Sequence, residues 1–183
     1  KFNPINPNWV DRDRFILSKG HCTPVQYAIL AEQGYFPVEE LKTFRQKGTR
    51  LQGHSVLGKP PGVENSAGAL GMGLSFGLGI RLAQRLKGMH DSKVWVLMGD
   101  GEQNEGQVWE AAMSATHHQA VGLIALIDRN GIQNDDFTQK TMRSEPLDKK
   151  YEAFGWNVLS NIDGHSIPEI ANAYEWALAR NDA

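Results

Sequence analysis

The sequence predicts an α/β fold with a parallel sheet flanked by helices on both faces. Three observations carry that expectation. Residues 93–98 form an apolar run of strand length that ends on the turn Gly99-Asp100-Gly101. Residues 105–119 then read as helix, and residues 121–128 are a second apolar run too short for one. Strand, turn, helix, strand is the unit of a parallel sheet, because parallel neighbours need a crossover long enough to hold a helix.

The other elements follow in order. Residues 1–20 are irregular, punctuated by Pro4 and Pro7, with a short β-like Phe15-Ile16-Leu17. Thr23-Pro24 starts a helix with proline at its first position, running over 25–33 and ending at Gly34. A second helix spans 38–46, with Leu41 and Phe44 three apart, and 48–62 is a Gly- and Pro-rich loop. Residues 68–87 form a third helix that carries five glycines in its first twelve residues. Each interior glycine costs up to ~1 kcal/mol relative to alanine, so close packing or a ligand should compensate. Residues 133–141 are a polar loop, 156–159 a further strand and 168–180 a final helix. No internal repeat or low-complexity tract interrupts the chain. It is expected to be one domain over 1–183, cut at both ends, since it lacks an initial Met and stops within helix-forming Arg180-Asn181-Asp182-Ala183.

Bulk properties narrow the function. A net charge of −2 gives no footprint for nucleic acid or an anionic membrane. The longest apolar runs are far too short to span a bilayer. The single Cys22 excludes an internal disulfide framework and fits a reducing, cytoplasmic setting.

The chemistry concentrates at two strand ends. In an open parallel sheet, ligands bind beyond the carboxyl ends of the strands. Asp100 stands at one such end and Asn130 at the next; neighbouring strands lie ~4.8 Å apart, so both side chains can converge on one ion. A carboxylate, an amide oxygen and a backbone carbonyl are hard donors with too little charge to satisfy Mg²⁺ alone. Mg²⁺ shared with phosphate oxygens and water completes such a set. Gly99 and Gly101 would let the backbone approach the phosphates, and the helix that follows would aim its N-terminus at them.

Gly99-Asp100-Gly101, then 28 residues, then Asn130 is similar to the signature of thiamine diphosphate enzymes. A plain strand-to-helix turn of the same residues is about as common, and other segments decide. Asp11-Arg12-Asp13-Arg14-Phe15-Ile16-Leu17-Ser18-Lys19-Gly20-His21 resembles the transketolase segment around its first cofactor histidine. Glu39-Glu40-Leu41-Lys42-Thr43-Phe44-Arg45-Gln46, Gly62-Val63-Glu64, Gly68-Ala69-Leu70-Gly71-Met72-Gly73, Tyr151-Glu152-Ala153-Phe154-Gly155-Trp156 and Ile162-Asp163-Gly164-His165 are similar to that family too, all in order. The resemblance implies the thiamine diphosphate-binding fold in its diphosphate-binding (PP) form. It implies that Asp100, Asn130 and the carbonyl of Ile132 bind Mg²⁺, for which Ca²⁺ or Mn²⁺ could substitute. His21, Gly99, Gly101 and Asn130 would lie at the diphosphate, and Gly68, Ala69 and Leu70 at the cofactor rings. His54 would face substrate hydroxyls. Glu105, with Glu110 held more loosely, would join an acidic network across a dimer interface; two acids favouring a helix N-terminus is the plainer alternative.

By the same resemblance the chain is the N-terminal subunit of a split transketolase. A C-terminal partner would carry the pyrimidine domain in a heterotetramer, a dimer of heterodimers. Together they would move a two-carbon ketol unit between sugar phosphates, as in pentose phosphate metabolism. The alternatives are the α-type chain of a 2-oxoacid dehydrogenase, another carboligase, or a non-catalytic homologue. Departures from the family (Leu51-Gln52-Gly53-His54-Ser55-Val56, Gly-Ala-Leu-Gly-Met-Gly, and Glu102-Gln103-Asn104) touch the substrate side more than the phosphate side. Gly71-Met72-Gly73-Leu74-Ser75-Phe76-Gly77 lacks the spacing and preceding strand of a dinucleotide fingerprint. His117-His118, His90, His165, Cys22, Trp109, Trp156 and Asp135-Asp136 read as surface, turn or packing residues.

Overall fold

The computed structural model describes residues 1–134 and 136–180. Its centre is a three-stranded parallel sheet in the order β1–β2–β3, with β1 Arg14–Leu17, β2 Val94–Gly99 and β3 Leu123–Asp128. Arg14 pairs with Val94 and Leu17 with Leu97, while Val94 pairs with Leu123 and Gly99 with Asp128. All three strands therefore end at one edge, and the loops that leave them are neighbours.

Helices α1 (Thr23–Glu32), α2 (Met72–Leu86) and α3 (Gly106–His117) follow the strands or the loops between them. On β2, Val94, Val96 and Met98 are fully buried, and alternate with half-buried Trp95 and Leu97. The buried set meets Leu74 and Leu78 of α2 and Val108, Ala111, Ala112 and Ala115 of α3 in one core. The opposite face receives α6 (Ile167–Leu178), whose Tyr174 ring sits edge-on to Trp95 at 5.4 Å. A smaller core joins Tyr27 and Ala31 of α1 to Phe36, Leu51 and Val63.

The glycines of α2 have a packing reason. A Cβ at Gly73 would collide with the Ser18 side chain, and one at Gly77 would lie 2.5 Å from Val96 Cγ2. Both sit on the buried stripe and let the helix descend onto β1 and β2. Gly71, at φ 83, is the N-cap in a left-handed conformation that a side chain would strain.

Several expected boundaries shift. α2 starts at Met72, so residues 68–71 precede it as a non-helical segment that ends in a turn. The helix expected over 38–46 is a 3₁₀ helix over Val38–Thr43. A 3₁₀ turn, Gly101–Asn104, precedes α3, so that helix does not begin at the phosphate turn itself. The polar loop expected over 133–141 is instead a hairpin, β4 Ile132–Gln133 with β5 Asp136–Phe137, followed by α4 Thr138–Thr141. Asp135, half of the polar pair noted above, lies outside the described residues. α5 (Leu147–Ala153) was not expected, and buries only Leu147 and Tyr151.

The strand expected over 156–159 does not form. Trp156 and Val158 still pack on the main core, and Trp156 Nε1 donates to the Ala112 carbonyl at 3.0 Å. Alternation reports which side chains are covered; a ladder also needs a free neighbouring edge. α6 runs to Leu178, and the last three residues of the chain lie outside the described ones. No helix among the described residues is long and apolar enough to cross a membrane.

Candidate functional site

β2 ends by turning Asp100 inward. The residue is 3% exposed, and its own N–H donates to the Asp128 carbonyl at 3.1 Å, continuing the β2–β3 pairing. Its Oδ1 accepts from the Gly101 N–H at 2.7 Å, and its Oδ2 accepts from the Gly131 N–H at 2.6 Å. The second bond ties the end of β2 to the loop after β3, one residue beyond Asn130. Asn130 is exposed, and its Oδ1 accepts from the Ile132 N–H at 2.9 Å. No basic side chain pairs with Asp100 among the described residues. A buried carboxylate without a cation is costly, and two N–H donors offset only part of that cost. Nor do three His, Cys, Asp or Glu side chains gather anywhere among the described residues in a metal-binding group. An ion here would rely on one carboxylate, amide and carbonyl oxygens, and oxygens from a ligand. That donor set fits Mg²⁺ held against phosphate.

The β4–β5 hairpin closes over this turn. A Cβ on Gly101 would stand 2.6 Å from Gln133 Cβ, so only glycine fits beneath the hairpin. Asn104 Nδ2 donates to Gln133 Oε1 at 3.1 Å and to the Met142 carbonyl at 3.3 Å. The Gly131 carbonyl accepts from the Thr138 N–H at 2.9 Å and its hydroxyl at 3.2 Å.

The loop after β1 brings the histidines to the same edge of the sheet. A Cβ on Gly20 would meet Ala67 Cβ at 2.6 Å and His54 Cδ2 at 3.1 Å. His54 and the 67–70 segment therefore flank the Gly20-His21 backbone. Both histidines lie outside the buried core, and Gly68, Ala69 and Leu70 are open to solvent on one side. Burial of part of the His21 ring lowers its pKa from the ordinary value, and the nearby Lys19 and His54 lower it further. Lys19 is 5% exposed and its Nζ reaches Asp128 Oδ2 at 2.5 Å. Burial opposes its charge, but the bonds to Asp128 and the neighbouring Cys22 outweigh burial and raise its pKa. Glu105 is exposed, and its Cβ lies 2.6 Å from a Cβ built on Gly71, which places it against the 68–71 turn. Glu110 is exposed on α3.

Glu102 and Gln103, expected only as departures that touch the substrate side, are buried beside Asp100. Glu102 is 2% exposed: its Oε1 accepts from the Ser18 hydroxyl and from the Gly71 N–H at 2.7 Å, and its Oε2 accepts from the Gly99 N–H at 3.0 Å. Gln103 donates to the Gly99 carbonyl at 2.9 Å and accepts from the Tyr151 hydroxyl at 2.7 Å. Burial pushes the Tyr151 phenol far above its ordinary pKa, and the Glu102 charge adds to that. Their signal was a pair of polar residues immediately after a buried strand end. Their partners Ser18, Gly71 and Tyr151 are far away in sequence.

This geometry has close counterparts among known proteins. The family model of the transketolase thiamine diphosphate-binding domain matches residues 1–183. The 6-deoxy-6-sulfo-D-fructose transketolase subunit SqwG of Clostridium sp. (strain MSTE9) is 45% identical over 97% of this chain and 64% of its own length. One of the subunits of apulose-4-phosphate transketolase from Phocaeicola vulgatus is 39% identical over 93% of this chain and 60% of its own. The chain thus spans less than two thirds of these relatives. Among solved structures, Campylobacter jejuni transketolase matches all of this chain and 29% of its own, at TM-score 0.91 and 35% identity. Pichia stipitis transketolase in complex with sedoheptulose-7-phosphate matches 97% of this chain and 28% of its own, at TM-score 0.91 and 36% identity.

Proposed function

The chain belongs to the transketolase family through its thiamine diphosphate-binding domain, and on that premise we propose that it is the diphosphate-holding part of a ketol-transferring enzyme. The observation that carries the reading is Asp100: a buried carboxylate that no basic side chain neutralises among the described residues, bonded across to the loop bearing Asn130. Asp100, the Asn130 amide and the Ile132 carbonyl would hold Mg²⁺, whose remaining positions go to the diphosphate and water. Gly99 and Gly101 carry no side chain at the turn, and the hairpin packs directly against Gly101. His21, whose surroundings favour the neutral ring, would place a ring N–H at the diphosphate. The exposed backbone of Gly68, Ala69 and Leu70 would line the rings, with Glu105 packed beside that turn. His54, beside Gly20, would orient hydroxyls of the sugar.

When bound, thiamine diphosphate supplies the electron sink that cleavage of a ketose carbon–carbon bond requires. This chain would bind, orient and shield. A pyrimidine-domain partner would complete the cofactor site in a cytoplasmic dimer of heterodimers, and the naming of two relatives as subunits supports such a partner. Those relatives are named for sugars bearing a sulfo group or a phosphate. The proposed substrates are accordingly ketoses and aldoses with an anionic terminus.

The test is reconstitution. The full-length chain, assembled with a pyrimidine-domain partner, thiamine diphosphate and Mg²⁺, should transfer a two-carbon unit from a ketose phosphate to an aldose acceptor. A complex that only decarboxylates 2-oxo acids, or that binds no cofactor, would overturn the assignment.

A further inference from the structure

We infer that Glu102 is a positioning residue of the cofactor cleft, clamping together three backbone segments that are distant in sequence. This inference rests on the cofactor reading above and deepens it.

The carboxylate is enclosed, at 2% exposure, and no cation pairs with it among the described residues. Its two oxygens accept from three donors. One is the Ser18 hydroxyl at the end of β1, which itself accepts from the Gly73 N–H at 3.1 Å. The second is the N–H of Gly71, the N-cap of α2 and the last residue of the 68–71 turn. The third is the N–H of Gly99, immediately before Asp100. A single side chain thus joins the turn proposed for the cofactor rings to the turn proposed for the diphosphate, and both to the loop that begins Ser18-Lys19-Gly20-His21.

The charge is stabilised without a counter-ion. Gly71 donates its N–H directly and Gly73 donates to the Ser18 hydroxyl that donates to the carboxylate, both at the start of α2, where the unpaired donors and the helix dipole favour an anion. Such charge-assisted bonds are short and directional, which suits a part that must hold backbone in register. Gly71 and Gly73 also approach so closely that the clamp has no slack. A Cβ at Gly71 would strike Glu105, and one at Gly73 would strike Ser18.

Glu102→Gln isolates the property that matters. An amide presents one acceptor where the carboxylate presents two, so its NH₂ must face the N–H of Gly71 or of Gly99. In the full-length chain assembled with its partner, the affinity for thiamine diphosphate at saturating Mg²⁺ should fall about 10- to 100-fold, the usual loss for a group that orients ligands from behind. The affinity for inorganic pyrophosphate with Mg²⁺ should fall only about threefold, because Asp100 and its own two N–H partners remain. Near-ultraviolet circular dichroism of the saturated complex should change, reporting rings held differently. Equal losses for both ligands would indicate general loosening and overturn the clamp, as would unchanged affinities. Should Glu102→Gln not fold, Ser18→Ala decides. It keeps the carboxylate, removes one donor, and should lower thiamine diphosphate affinity about threefold to tenfold with pyrophosphate binding retained; no change would overturn the clamp. Failure of the unaltered complex to bind thiamine diphosphate at all would instead overturn the cofactor reading, and this inference with it.

Discussion

The two ends of the central sheet bury opposite charges and satisfy them in opposite ways. At the carboxyl end, Asp100 and Glu102 are anions held by backbone N–H groups of residues 71, 99, 101 and 131. At the amino end, Arg81 is 5% exposed and held by carbonyls: Met89 and Ser92 at 3.2 and 3.0 Å, His90 at 3.4 Å, and Val121. Arg85 beside it donates to the carbonyls of His118 and Gln119, just beyond the end of α3. The polarity follows from the fold. Parallel strands alternating with antiparallel helices put helix N-termini, with unpaired N–H groups, at one edge and helix C-termini, with unpaired carbonyls, at the other. Arg81 spends its guanidinium on acceptors within the protein. Asp100 accepts one bond on each oxygen and keeps lone pairs for something else. At the amino end the charge is used up by acceptors inside the protein; at the carboxyl end acceptor capacity is left over for a ligand.

Four experiments sharpen or break that contrast. The largest effect is expected at the amino end. Arg81→Met strips several buried carbonyls of their donor at once, and should cost about 3–5 kcal/mol in denaturant unfolding. Thiamine diphosphate affinity of the folded fraction should stay within about twofold, since sites that share no partners do not couple. A comparable loss of affinity would mean the two ends are not separate.

Asp100→Asn should do the reverse. Mg²⁺-dependent cofactor binding, followed by titration, should weaken at least about a hundredfold, equivalent to ~2.7 kcal/mol. The unliganded fold should lose less stability than Arg81→Met does, because removing a buried charge offsets part of the cost of an amide NH₂ facing the N–H of Gly101 or of Gly131. Binding preserved to within about threefold would dissolve the distinction.

Gly101→Ala probes the roof. Its methyl would meet Gln133 Cβ at 2.6 Å, so the hairpin must lift. About a tenfold loss of affinity is expected, ~1.4 kcal/mol, with the melting temperature shifting little. A crystal structure showing an unmoved hairpin would contradict this account.

The smallest signal is a fraction of a proton. In the free protein His21 is held below its ordinary pKa by burial, Lys19 and His54, so its protonation sets in only below the usual histidine range. A bound pyrophosphate brings negative charge, which favours the protonated ring and raises the pKa. Binding near about pH 6 should therefore take up part of a proton, visible in calorimetry as an enthalpy that depends on the buffer. Pyrophosphate exchanges protons of its own in this range, so the comparison is between two proteins: His21→Gln should bind the same ligand with less proton uptake, and equal proton counts for both would exclude the ring from the site.

Legibility from sequence tracked the range of the interaction. β2, α3 and β3 were readable because each is specified by its own apolar pattern, and α1 because Thr23-Pro24 and Gly34 mark its ends. The failures were non-local. The run at 156–159 has the alternation of a strand, but it anchors by Trp156 to α3 instead of pairing. The 133–141 segment looked polar and solvated, yet it folds over Gly101 because residues 101 and 104 give it a surface.

By itself, the sequence determined the strand–helix alternation, the acid at the end of β2 and the amide just beyond the end of β3. It also determined the glycines around them, because these are choices of residue type at local positions. Only the tertiary structure decided that the Asp100 carboxylate reaches the loop of Asn130, that His54 stands beside Gly20, and that Glu102 is sealed between three backbones. A side chain's partner is set by where the sheet and its crossovers bring distant loops together, and no local pattern records that distance.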